Sequence, residues 1–274
     1  MKKIILLALV FFLQEIRSQK IQKDYPLSNI IEETSGLEII DDVFITHNDS
    51  GGEASLYYLS KEGEIIKTRE VKHAVNIDWE DLTRDDKYIY ISDIGNNYNN
   101  RKDLKIYKLP IDESSEEKTK IISFNYPEQN SFKINRNTIY DAEGLISIDD
   151  KLIIFTKNRA KKITELYLIP KDPGNYDAKK IGTLKVNSII TAADYNKDLR
   201  LLALTSTIDF NEYYLITVPD FSLKGKKDYK INMVEIPIGK TQVEAIKIID
   251  SKSFWISSED ESNSDHARLM KMSL

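Results

Sequence analysis

The chain repeats one unit five times, and this repetition constrains the fold more than any other feature. Each unit opens on a short segment of small, acidic and apolar residues. The openings read Thr34-Ser35-Gly36-Leu37, Trp79-Glu80-Asp81-Leu82, Ala142-Glu143-Gly144-Leu145, Ala192-Ala193-Asp194-Tyr195 and Val243-Glu244-Ala245-Ile246. An apolar strand with a polar end follows, as in Thr46-His47-Asn48-Asp49 or Ser92-Asp93-Ile94-Gly95, then a Leu-Tyr-x-Leu strand such as Leu56-Tyr57-Tyr58-Leu59. Counted from Gly36, the openings lie 45, 63, 50 and 51 residues apart. That is the length of a four-stranded propeller blade. The long interval holds a charged stretch, Asp112–Lys120, and a polar one, Glu128–Asn137, read as loops within the second unit. The last unit has room for three strands after Gln242, so the segment Ile21–Glu33 is expected to supply its outer strand and leave no open edge. The expected fold is all-β: a five-bladed β-propeller closed by an N-terminal strand, with a six-bladed ring as the alternative. A β-sandwich would not repeat its opening five times.

Composition agrees. The chain is 41% apolar, with 15 tyrosines against 4 methionines, a balance that favours packed strands. Lys2 and Lys3 precede an apolar run, Ile4–Leu13, and a polar break ends at Ser18. This is the layout of a signal peptide over residues 1–18, leaving 19–274 for the propeller domain. The run is too short to span a bilayer. The absence of cysteine excludes a lipid-anchored cysteine, disulfides and thiolate metal sites. Without Lys2, Lys3, Glu15 and Arg17 the formal charge moves from −5 to −7, which argues against nucleic acid or an anionic membrane as partner. A secreted or periplasmic monomer without a membrane anchor is expected.

The innermost strand of each blade lines the central channel, and residues two apart share a face. Asp78 and Glu80 therefore point one way, as do Asp141 and Glu143. Alignment of the openings puts Ser35, Glu80, Glu143, Ala193 and Glu244 at one level. Like charges this close need protons or a cation to offset them, and oxygen-only ligands from several directions suit Ca²⁺. Ser35, Glu80, Glu143 and Glu244 are thus the candidate metal ligands, with Ala193 as the gap. Acids facing water in a wide channel, or paired with basic side chains, are the other arrangements open at this point.

The start of the first strand and the end of the second share one face of a propeller. That face gathers a polar rim: His47, Asp49, Asp93, Asn96, Lys157, Arg159 and Glu259, with Asp78, Asp141 and Thr191 beside them. Loops are where binding residues concentrate. Lys157 and Arg159 either pair with the rim carboxylates or receive an anionic group. His47 is either a base or ligand or a packed histidine. Trp79 alternates out of phase with Glu80 and is expected between blades. No Gly-x-Ser-x-Gly elbow is present, so serine-hydrolase logic fails.

The runs Asn76-Ile77-Asp78-Trp79-Glu80-Asp81-Leu82, Ser92-Asp93-Ile94-Gly95-Asn96-Asn97, Tyr126-Pro127 and Tyr140-Asp141-Ala142-Glu143-Gly144-Leu145 resemble a group of secreted bacterial propellers across nearly the whole mature chain. More distantly the chain is similar to the SdiA-regulated propellers and the calcium-activated nucleotidases, the soluble apyrases. The apyrase resemblance implies five blades and a central Ca²⁺ ringed by a Ser, Glu, Glu, Ser, Glu series, matched here by Ser35, Glu80, Glu143 and Glu244, with Ala193 departing. The apyrase catalytic set finds no match on the rim. Two functions follow as expectations. One is a secreted calcium-binding propeller that takes a small molecule or protein on its rim. The other is a Ca²⁺-dependent phosphohydrolase with Asp78 or Asp141 as catalytic base. An enzyme on sugars or lactones is a third.

Overall fold

The computed structural model describes residues 19–223, 228–259 and 266–274; the expected signal peptide, 1–18, lies outside the described residues. Five sheets form the blades of a propeller. The first contains β2 (Thr34–Ile40), β3 (Val43–Asn48), β4 (Ser55–Leu59) and β5 (Ile65–Glu70). The second contains β6 (Trp79–Arg84), β7 (Tyr88–Asp93), β8 (Lys105–Pro110) and β9 (Lys120–Asn125). The third contains β10 (Ala142–Ile148), β11 (Lys151–Thr156), β12 (Thr164–Pro170) and β14 (Lys179–Leu184), with β13 (Gly174–Asp177) leaving it for its neighbour. The fourth contains β15 (Ile189–Asn196), β16 (Leu201–Thr207), β17 (Tyr213–Pro219) and β18 (Asn232–Glu235). The fifth contains β19 (Val243–Ile248), β20 (Ser253–Ser258), β21 (Arg268–Ser273) and the N-terminal β1 (Lys20–Pro26).

The five openings are the innermost strands, and they touch in a ring: β2 on β6, β6 on β10, β10 on β15, β15 on β19, and β19 back on β2. The expected closure is present. β1 pairs antiparallel with β21 from Lys20↔Ser273 to Pro26↔Arg268, and Asp24 pairs with Arg268 across it. The chain end thus covers an edge that would otherwise template aggregation.

The core lies between blades because alternate side chains of each strand point to opposite faces. Between blades one and two, Ile45 and Leu56 meet Trp79, Leu82, Ile91 and Tyr107. Between blades two and three, Tyr90, Ile106 and Phe124 meet Leu145, Leu152 and Tyr167. Trp79 is fully buried between blades one and two, as its phase predicts.

Two features were not legible in the sequence. The Asp172-Pro173-Gly174 segment, a sequence of turn residues, leads into β13, which adds in parallel to β9 (Gly174↔Ile122 to Asp177↔Asn125). The third unit thereby lends a fifth strand to the second blade. Its own outer strand, β14, is the largely exposed KKIGTL, a segment with no apolar alternation to announce it. The second feature is a buried staple. The Asp81 carboxylate accepts backbone N–H bonds from Leu82 (2.8 Å), Leu145 (2.9 Å) and Ala193 (3.2 Å), joining the inner strands of three blades.

Candidate functional site: an acid-lined channel mouth

In every blade the ladder between the first and second strands slips by one residue near the rim. In three blades the residue left between paired positions is an acid: Glu80 between Trp79 and Asp81, Glu143 between Ala142 and Gly144, and Glu244 between Val243 and Ala245. A bulge bends its strand and re-aims the extra side chain. In the fourth blade the residue in that place is Thr191, between Ile190 and Ala192.

The hydrogen bonds give the same alignment. Leu145 and Ala193 both donate to Asp81 Oδ2, and they stand two residues after Glu143 and Thr191. In the first blade the slip lies between Ser35 and Glu38. Gly36 and Gly144 both press on the neighbouring inner strand: a Cβ on Gly36 would lie 2.6 Å from Leu82 N, and one on Gly144 would lie 2.8 Å from Ala193 Cβ. Ser35 thus matches Glu143. The level reads Ser35, Glu80, Glu143, Thr191 and Glu244. This corrects the sequence alignment, which put Ala193 there as a gap. The sequence Ala192-Ala193-Asp194 imitates an opening but is two residues out of register.

Both hydroxyls of this level donate to neighbouring inner-strand carbonyls, Ser35 to Glu80 and Thr191 to Val243 (2.6 Å). Their lone pairs are left as acceptors.

The predicted rim residues separate into distinct roles. Lys157 is buried and turned into the channel, its Nζ 2.6 Å from Glu143 Oε1. Burial opposes its charge, but Glu143, Glu244, Asp141 and Glu80 outweigh that and raise its pKa. Arg159 pairs with Asp141 and donates to Asn97 Oδ1. Asp141 also accepts the Asn96 N–H at 2.7 Å, so this candidate base is held on two sides. Asn96 is buried and its side chain bonds Tyr140 O and Arg101 N. Asp93 is fully buried and paired with Arg101 at 2.8 Å, with Lys105 at 3.8 Å. His47 lies beneath the rim, fully buried, edge-on to Trp79, with Nδ1 against Asn48 O. It is a packed histidine, and burial lowers its pKa to about 4.

Asp49, Asp78, Glu80 and Glu244 differ: no hydrogen bond or ion pair within 4 Å reaches their carboxylates among the described residues. Burial first, then the neighbouring carboxylates, push Asp49, Glu80 and Glu244 well above the usual range. The same causes bring Asp78 to about 7. Glu259 is also raised to about 7, chiefly by burial, while accepting a bond from Gln242. Oxygens of Asp49, Asp78 and Glu80 lie within 4.8 Å of one another, and so do oxygens of Glu80, Asp141 and Glu143. Glu80 belongs to both groups.

Gly95 closes one side. A Cβ there would lie 2.1 Å from Glu80 Oε1 and 2.2 Å from Asp78 Oδ2. Only glycine lets the β7–β8 loop approach the carboxylates this closely. The sequence signals Gly95 as part of a turn, not as a wall of the site.

The fold and site define a five-bladed β-propeller with an acid-lined mouth. No family model matches the chain, and no curated protein matches it. Among solved structures it is similar to the PQQ-bound aldose sugar dehydrogenase of Streptomyces coelicolor, with a TM-score of 0.53 at 11% identity over 93% of this chain and 98% of that one. It is also similar to a Bacteroides fragilis protein described as exported, with a TM-score of 0.47 at 10% identity over 93% and 95%. The first likeness is one of fold.

Proposed function

We propose that the protein is an exported calcium-binding propeller that holds Ca²⁺ at its channel mouth and presents the surrounding rim to a ligand or partner. The observation that carries this reading is that carboxylate oxygens of Asp49, Asp78 and Glu80 converge at the mouth, where Glu80, Glu143 and Glu244, with Ser35 and Thr191, stand at matched places in the five inner strands. These are hard oxygen donors at or beside the ladder slips of five separate blades, the chemistry that suits Ca²⁺. Asp49 and Asp78 add carboxylates beside them. Export rests on the charged, apolar and polar order of residues 1–18, the layout of a signal peptide.

The rim supports a binding role. Of eleven large apolar side chains exposed among the described residues, six lie on loops of this face: Ile30, Val75, Ile77, Tyr98, Ile134 and Phe210. Apolar groups around a polar centre are the composition of a recognition surface. Binding is favoured over phosphate hydrolysis because Lys157 and Arg159 are committed to Glu143 and Asp141, which removes the cations expected to receive a phosphate.

Thermal melting with chelator and with added Ca²⁺ tests the metal. A ligand that binds only the folded state stabilises it, so chelation should lower the melting temperature and Ca²⁺ restore it. Coincident curves would sink the reading.

A further inference from the structure

The mouth holds carboxylates of two kinds. Glu143, Asp141 and Asp93 each have a cation in contact, namely Lys157, Arg159 and Arg101. Asp49, Asp78 and Glu80 have none among the described residues, although their oxygens converge within 4.8 Å. An acidic cluster alone says little, since charges can repel outward into water. Here three further observations oppose that escape. Glu80 is only 3% exposed, and its carboxylate points into the cluster without a donor. Asp49 Oδ1 is buried and also without a donor. The Gly95 backbone then blocks the side on which Glu80 and Asp78 could separate. Asp49 and Asp78 are half-buried and Glu80 buried, and converging carboxylates withdrawn from water to that extent are costly unless a cation is shared among them.

The axial position is differently supplied. The Lys157 ammonium contacts Glu143 at 2.6 Å, and the negative charge of Glu244 also favours its protonated form. A tethered ammonium there does the work of a bound cation and repels a second one.

Resting on the reading that this mouth binds a divalent cation, we propose that the ion sits beside the axis. Asp49, Asp78 and Glu80 of the first two blades hold it directly, and Lys157 takes the axial place between Glu143 and Glu244. Three carboxylates give a hard dication a full charge complement, and water completes its shell. Glu143 and Glu244 shape the field around the ion, and Ser35 and Thr191 tie adjacent inner strands together.

Calcium titration calorimetry on the wild type and on D49N, D78N, S35A and E244Q separates the placements. D49N and D78N should each weaken Ca²⁺ binding by about tenfold or more, and S35A and E244Q by less than about threefold, as ligand charge sets affinity in such sites. Circular dichroism in chelator shows that each variant is folded. Crystals of the wild type soaked in Tb³⁺ give a check that needs no variant: the anomalous peak should lie nearest Asp49 and Asp78. The opposite ranking, or a peak nearest Glu143 and Glu244, overturns the off-axis placement while keeping the divalent-ion reading. No binding to the wild type overturns both.

Discussion

Lys157 Nζ lies 2.6 Å from Glu143 Oε1, and both groups are buried in the channel. The pair sets what happens when either is removed. Lys157→Met leaves the Glu143 carboxylate without its cation. Breaking a buried pair on one side costs roughly 3–5 kcal/mol. Urea denaturation in chelator should show a loss of that order at pH 8 and a smaller one at pH 5, where Glu143, already raised by burial, can take up a proton. A loss independent of pH would mean that Lys157 acts by packing alone.

Asp81→Ala removes the acceptor shared by Leu82, Leu145 and Ala193. Each buried donor left unsatisfied costs about 1–3 kcal/mol. Denaturation should show a loss of roughly 3 kcal/mol or more, large for one substitution. A loss below about 1 kcal/mol would show that water replaces the carboxylate.

His47 makes the fold acid-sensitive. Its folded pKa, about 4, lies below the usual value of 6.5. Between these values the unfolded chain binds more protons, so its contribution to stability falls as pH drops from 6.5 toward 4. His47→Gln should lose less stability than the wild type on going from pH 6.5 to 4, measured as the difference between the two denaturation midpoints against pH. An unchanged slope would assign the acid sensitivity elsewhere.

Asp78 and Glu259 act in the opposite sense. Both are raised to about 7 when folded, so between their ordinary values and 7 the folded chain binds more protons. In chelator their contribution should destabilise the fold progressively as pH rises through that range. Ca²⁺ should remove much of the Asp78 part, because it favours the ionised form. The D78N, E259Q double variant should have a shallower slope, the remainder coming from Asp49, Glu80 and Glu244, which are raised by burial in the same sense. A wild-type profile unaffected by Ca²⁺ would contradict this account.

Gly95→Ala tests the wall of the site. The added Cβ would overlap Glu80 Oε1 and Asp78 Oδ2, forcing the carboxylates apart. Ca²⁺ affinity should fall by about tenfold or more, as coordination depends on ligand geometry. Unchanged affinity with an unchanged melt would show that the loop simply moves away.

The repeats favoured five blades over six and predicted the openings as inner strands and an N-terminal strand closing the last blade, and the fold has all three. Repeats carry this information because each strand's alternation and each turn are local, and Glu80, Glu143 and Glu244 sit at fixed places within them. That Thr191, not Ala193, stands level with these acids emerges in the folded ring, because a one-residue slip in the ladder leaves no trace in composition. The folded ring alone shows that Lys157 and Arg159 turn inward to meet carboxylates, that His47 is buried, and that Gly95 closes the mouth. These depend on which side chains from separate blades meet. Residues more than a hundred positions apart, such as Asp81 and Ala193, become neighbours only when the ring closes.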